Sequence, residues 1–135
     1  MVQHPNLIET PEGVYDLLKQ IKTIAVLGIK TEAQADQPAY YVPKYMQAAG
    51  YEVIPVPVYY PDATEILGRK VYRKLGDIPG PLDMVNIFRR PNDVPPHVDD
   101  ILAKKPRSVY LQLGIRNDAA ALKLAEAGIL VVQDR

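Results

Sequence analysis

Thr23-Ile24-Ala25-Val26-Leu27-Gly28 is the stretch whose reading decides the fold of this chain. It is a short apolar run that stops at a glycine, and a polar loop from Lys30 to Gln37 follows it. From Pro38 to Ala49 the spacing changes: Val42, Tyr45, Met46 and Ala49 share one helical face, and Gly50 closes the segment. Pro43 inside this helix is expected to bend its first turns. Glu52 to Val56 is a second apolar run. Strand, helix and strand over this length make one unit whose two strands lie parallel.

The alternation continues on both sides. Thr10-Pro11-Glu12 reads as a hydroxyl cap with proline at the first helical position, and Val14, Leu17, Leu18 and Ile21 then recur at helical spacing. This predicts a helix over about Pro11 to Lys19. Pro57 to Pro81 is less regular. Asp62 is expected to cap a short helix through Leu67, Lys70 to Tyr72 to add a short edge strand, and Leu75 to Ile78 to form one turn. Met84 to Phe88 is the next strand. Asn92 or Asp93 caps a helix with Pro95 and Pro96 near its start, a buried stripe of Val94, Val98, Ile101 and Leu102, and an end at Pro106. Ser108 to Leu113 is a strand ending at Gly114. Asn117 caps an alanine-rich helix to Ala127, and Ile129 to Val132 is the last strand.

Such a chain folds as an α/β protein. The expectation is a Rossmann-type doubly wound parallel sheet of about six strands in the order 3-2-1-4-5-6, the third very short. Residues 1–135 form one domain in this reading, with residues 1–21 an N-terminal helix packed on it. The switch point, where such sheets bind ligands, falls between the strand tips at Gly28 and Phe88.

Bulk composition narrows the function classes. Lys+Arg and Asp+Glu both total 16, so the formal net charge is zero and nothing global draws the chain to nucleic acid or an anionic membrane. There is no cysteine, which excludes disulfides, thiolate catalysis and cysteine metal sites and fits a cytoplasmic location. Met1 to Thr10 lacks a basic region followed by an apolar run, so no signal peptide is expected. No stretch approaches the roughly 20 apolar residues that span a bilayer.

The strand tips carry the candidate chemistry. Phe88-Arg89-Arg90-Pro91 places the chain's only phenylalanine at a strand end beside two guanidinium groups, a set suited to a flat ring and phosphates. Gly28 permits close backbone approach, and the helix after it presents free amides to phosphate. The full dinucleotide fingerprint is missing, since Gly28 is followed by Ile29-Lys30-Thr31-Glu32-Ala33. The second strand ends in Val56-Pro57-Val58-Tyr59 with no acid until Asp62, which argues against the ribose-binding carboxylate of an NAD site. Gln112-Leu113-Gly114 offers a side-chain amide and a close-approach glycine, with Arg116 just beyond. Lys30, Arg89, Arg90 and Arg116 together would make a local cationic rim. Ser108, the only serine, sits at a strand start on the wrong edge for a tip site. His97 is read as a surface residue, and His4 lies near the N-terminus. Two histidines and no cysteine disfavour a transition-metal site, and no catalytic residue is assigned.

With these pieces in order, the chain resembles the small single-domain CoA-binding proteins related to the CoA-binding domain of the succinyl-CoA synthetase α subunit. The resemblance runs from Lys22 to Arg135. It rests on Ile24 to Gly28, Gly50-Tyr51-Glu52-Val53-Ile54-Pro55-Val56, Glu65 to Tyr72, Asp77-Ile78-Pro79, Phe88-Arg89-Arg90-Pro91, Leu111-Gln112-Leu113-Gly114, and Glu126-Ala127-Gly128 leading to Asp134-Arg135. It implies coenzyme A, or an acyl-CoA, bound across the strand tips. Gly28, Ile29 and Lys30 would line the pyrophosphate. Val56 to Tyr59 and Phe88 to Arg90 would flank the adenine and ribose phosphate. Gln112 to Gly114 would meet the pantetheine arm. Relatives usually carry serine at Lys30 and Asn-Pro at Pro57-Val58, and they tend to run on past Asp134-Arg135 into a cysteine and a terminal helix.

The related synthetases use an active-site histidine from another domain, so the resemblance favours binding without chemistry, with regulation as one use. Two alternatives stay open: a Rossmann-type enzyme using NAD(P), and a protein-interaction subunit with a vestigial cleft. Exposed apolar surface on the N-terminal helix or an edge strand would favour a homodimer.

Overall fold

The computed structural model describes residues 3–135. Met1 and Val2, part of the stretch read for a signal peptide and of the one-domain reading, lie outside the described residues. Five strands form a parallel sheet: β1 (Thr23–Leu27), β2 (Glu52–Val56), β5 (Met84–Ile87), β6 (Ser108–Leu111) and β7 (Leu130–Val132). Their spatial order is β2-β1-β5-β6-β7. Register is continuous, with Leu27 beside Val56 and Ile87, and Ile87 beside Leu111, so four strand tips end level with one another.

Alternate side chains send the two faces of this sheet into two cores. On one face Ile24, Val26, Val53, Met84 and Val132 pack with Leu17 of α1 (Pro11–Gln20) and Tyr40 of α2 (Pro38–Ala48). On the other Ala25, Leu27, Val85, Ile87 and Val109 pack with Ile101 of α3 (Val98–Lys104) and Leu124 of α4 (Asp118–Glu126). The sheet is therefore doubly wound, as the alternation required, and the fold is Rossmann-like. Local signals set the helix starts. Thr10 Oγ1 accepts the Gly13 amide at 3.1 Å, and Asn117 Oδ1 accepts the Ala120 amide at 3.0 Å. Pro43 is buried within α2.

The structure departs from expectation in two places. The stretch expected to form a helix and then an edge strand is instead a hairpin of β3 (Glu65–Ile66) and β4 (Arg69–Lys70), antiparallel and outside the main sheet. Its two-residue turn places Leu67 at φ 55° and Gly68 at φ 72°, the mirror-image turn that matches strand twist. Ile66 is thereby buried in the α1/α2 core. The chain then meets the sheet after all, because the Tyr72 amide donates to the Pro55 carbonyl of β2 at 3.0 Å. At the opposite edge Leu7 bridges to Val131, with the Ile8 amide on the Val131 carbonyl and the Val131 amide on the Asn6 carbonyl, both at 2.8 Å.

The second departure precedes α3. A continuous helix from Asn92 or Asp93 gives way to two tight turns, Pro91–Asp93 and Pro95–His97, before α3 begins at Val98. Pro95 and Pro96 have no amide to continue an α-helical ladder, so three-residue turns serve instead. Val94, Val98 and Ile101 still form the buried stripe.

Candidate functional site

The level tips of β1, β2, β5 and β6 open into a cleft of about 750 Å³, a volume ordinary for small-molecule and cofactor sites. Its floor is set by Gly28, which follows β1 at φ 89° with its α-carbon against the Phe88 carbonyl. The Gly28 amide donates to Val56 and the Phe88 amide to Leu27, both at 2.9 Å, so the two tips are tied to their neighbours. One wall is the start of α2, where Gln37, Pro38 and Ala39 face the cleft and Lys30 Nζ donates to Gln37 Oε1. A helix start brings partial positive charge, adding to that of Lys30.

The β5 tip supplies the other cations. Arg89 is largely buried, its guanidinium 5.7 Å from the centre of the Tyr59 ring and 3.9 Å from Asp93 Oδ2. Its Nε is buried without any hydrogen-bond partner, the one such side-chain atom among the described residues. A buried donor without an acceptor costs about 1–3 kcal/mol, so Arg89 is held with its hydrogen bonding incomplete, while its Nη1 lies 3.5 Å from the Tyr59 hydroxyl. Arg90 is exposed at the rim.

At the β6 tip the lining becomes neutral and apolar: Gln112, Leu113, Gly114 and Ile115. Gln112 Nε2 donates to Asn86 Oδ1 at 2.5 Å, and the Gly114 amide donates to Asp134 Oδ1 at 2.6 Å. Arg135 arrives from the far end of the chain to line the same cleft.

Ten of the thirteen residues singled out in the sequence line this cleft: Gly28, Lys30, Val58, Tyr59, Phe88, Arg89, Arg90, Gln112, Leu113 and Gly114. The other three lie elsewhere. Ile29 is buried in the α1/α2 core, because the turn at Gly28 sends consecutive side chains to opposite sides. Val56 and Pro57 are buried and border a neighbouring hollow of about 390 Å³, which Val58, Arg73, Lys74, His97 and Asp100 also line. Arg116 does not join the cationic rim; it pairs with Asp118 at 3.2 Å and faces a separate hollow beside Leu7 and Val131. Arg135 borders both that hollow and the cleft, and its guanidinium donates to the Glu9 carbonyl at 2.5 Å. Asp134-Arg135 counted toward the resemblance in sequence, but nothing there assigned Arg135 to the cleft.

His97 is half-buried, not a surface residue. Burial, reinforced by the positive charge of Arg89, holds its imidazole below the usual histidine value against the opposing pull of Asp100 and Asp93. Ser108 is fully buried at the opposite end of the sheet, its hydroxyl donating to the Asp83 carbonyl at 2.7 Å. Among the described residues no group of three or more His, Asp or Glu side chains is placed to hold a metal ion, and no helix is long and apolar enough to cross a membrane.

Comparison with known proteins agrees with this geometry. The chain is 36% identical over 133 residues to the uncharacterized protein YneT of Bacillus subtilis (strain 168), covering 98% of this chain and 92% of that one. It is similar to the solved structure of cell-free ID.343 from Thermus thermophilus, with a TM-score of 0.83 and 38% identity over 94% of this chain and 92% of that one. A hypothetical protein from Pyrococcus horikoshii OT3 is similar at a TM-score of 0.83 and 31% identity, over 100% of this chain and 91% of that one. The CoA binding domain family matches residues 22–135. Because that span takes in every strand of the parallel sheet and every residue of the cleft, the chain belongs to the CoA-binding-domain family.

Proposed function

We propose that this chain binds coenzyme A or an acyl-CoA in the cleft at the strand tips and performs no reaction on it. The observation that carries the reading is Arg89: a largely buried guanidinium that lines the cleft beside Tyr59, with only one carboxylate, that of Asp93 at 3.9 Å, near it. Phosphate is the acceptor that such a fork fits best. Lys30 and the start of α2 stand across the cleft as further anion-binding elements, and Phe88 and Tyr59 offer aromatic surface for a flat ring. The neutral, apolar lining at Gln112, Leu113 and Ile115 suits the uncharged arm of the same ligand. β2 ends at Val56, and Pro57, Val58 and Tyr59 follow with no carboxylate to hold a ribose diol, which favours CoA over NAD. The roles assigned to single loops follow from this reading. Residues 1–135 act as one binding domain, α1 covering one face of its sheet.

The test is calorimetric titration of protein shown by mass spectrometry to be free of nucleotide, using CoA, acetyl-CoA, NAD and NADP at one salt concentration. Saturable CoA binding with NAD and NADP silent is the expected result. Binding of NADP alone would keep the cationic site and replace the ligand. Binding of none would turn attention to protein partners.

A further inference from the structure

Asn86 is the exception in a buried strand. Its neighbours Met84, Val85 and Ile87 are apolar, yet its amide is fully buried on the α2 face of the sheet. A buried side-chain amide persists where its hydrogen bonds are made. Two contacts are made here: Asn86 Nδ2 lies 3.5 Å from Met46 Sδ, and Asn86 Oδ1 accepts Gln112 Nε2 at 2.5 Å.

The polarity of this chain of groups is fixed from its buried end. A thioether has lone pairs and no proton, so it can only accept. Turning the Asn86 amide over would set Oδ1 against Met46 Sδ, leaving a buried carbonyl oxygen with no donor. Asn86 therefore directs Nδ2 to Met46 and Oδ1 to Gln112. Gln112 must then direct Nε2 inward, and its Oε1 is left as the amide atom with no hydrogen-bond partner among the described residues. Gln112 itself is half-buried and lines the cleft.

We propose that Met46, Asn86 and Gln112 form a relay of fixed amide polarity, which presents Gln112 Oε1 to the cleft as an acceptor for an amide N–H of the ligand's uncharged arm. The cationic groups of the cleft gather at the β1 and β5 tips, in Lys30, Arg89 and Arg90. The β6 tip combines this one oriented acceptor with Leu113 and Ile115. An arm of alternating methylene and amide groups meets that pairing: methylenes against leucine and isoleucine, an N–H on the glutamine oxygen. Asn86 acts through Gln112 and is a positioning residue. The inference rests on the CoA reading and assigns the polarity by which the site selects the pantetheine portion.

The experiment measures affinity for CoA and for adenosine 3′,5′-bisphosphate, which lacks the arm, in the wild type, Gln112→Leu, Asn86→Leu and Asn86→Asp. The two leucine variants are expected to weaken CoA by about tenfold while leaving the bisphosphate within about twofold, the loss of one hydrogen bond to the arm. Asn86→Asp keeps acceptor oxygens for Gln112 Nε2 and is expected to hold more of the CoA preference than Asn86→Leu. If Asn86 variants fail to fold, Gln112→Leu carries the test alone, since its side chain reaches the cleft. Variants that keep full CoA affinity, or lose both ligands equally, overturn the relay while the CoA reading stands. Wild-type protein that binds neither ligand overturns both.

Discussion

The α-carbon of Gly28 faces the carbonyl oxygen of Phe88 so closely that a Cβ there would lie 2.2 Å from it. Backbone meets backbone at this point, and neither can yield without shifting a strand. The contact joins the tips of β1 and β5, where the sheet's connections change direction, so one residue sets the width of the cleft floor. Gly28→Ala adds both this clash and a methyl at φ 89°. It is expected to destabilise the fold by about 2–4 kcal/mol, read from urea denaturation, and to weaken CoA binding in whatever fraction folds.

Arg89 and Arg90 separate by burial, and their variants should separate too. Arg89→Ala removes the guanidinium that is held beside Tyr59 and is expected to weaken CoA by about 1.5–3 kcal/mol. Arg90 is exposed, so Arg90→Ala is expected to cost less and to lose its effect as salt rises. Titrations at two ionic strengths measure both. Unchanged affinity in both variants would remove the β5 tip from the phosphate side of the site.

Acid is expected to lower stability in two steps. His97 is held below its usual value near 6.5, first by burial and then by Arg89. The unfolded chain therefore takes that proton first, and the stability present above pH 6.5 is lost as pH falls through the folded value. Asp83 is buried enough to be pushed upward, but the Lys22 and Thr23 amides on its carboxylate, with Arg107 nearby, outweigh this and hold it below its usual 3.8. Its contribution is present above 3.8 and lost as pH falls below. Urea midpoints from pH 8 to pH 3 should show both steps, with His97→Gln removing the first and Asp83→Asn the second. In Arg89→Ala the imidazole should titrate higher, which an NMR titration of His97 reads directly.

Arg73 pins the loop that carries Tyr59. Its guanidinium donates to the carbonyls of Tyr59, Tyr60, Pro61 and Ala63 at 2.7–3.3 Å, across a segment where Tyr60 is held at φ 64°. Arg73→Lys keeps the charge but not the planar fork, so it should behave like Arg73→Ala. Both are expected to lower stability by about 1 kcal/mol and to weaken CoA binding through the loosened Tyr59 wall. A lysine variant equal to wild type in melting and affinity would show the loop to be held by its own packing.

What the sequence made legible was local. The caps at Thr10 and Asn117 act within three residues, and the apolar runs at Thr23–Leu27 and Glu52–Val56 need no distant partner to be read. The tip residues followed, because a strand's end is where its side chains stop packing. What stayed hidden depended on long-range placement or on a weak turn signal. Leu67-Gly68 is a poor hairpin signature, since leucine rarely takes a positive φ, and the helix expected there gave way to Ile66's burial in the core. Arg135 reaches the cleft only because β7 ends beside β6. Asn86 passed unread inside the strand Met84 to Phe88, because its role depends on Met46 and Gln112, forty and twenty-six residues away.

The Leu7 bridge on β7 and the Tyr72 hydrogen bond on β2 also bear on how copies of this chain can meet. Both outer strands of the parallel sheet already have some of their ladder groups engaged by the chain itself, and Pro55 removes a donor from β2. Assembly by strand addition, whether into an ordered dimer or a disordered aggregate, would first have to peel one of these segments away. Association that leaves the fold intact is therefore directed to side-chain surfaces, among them the exposed Tyr41 and Tyr45 on α2. Tyr41 also lines the cleft, so contacts made there would be felt by whatever the cleft holds.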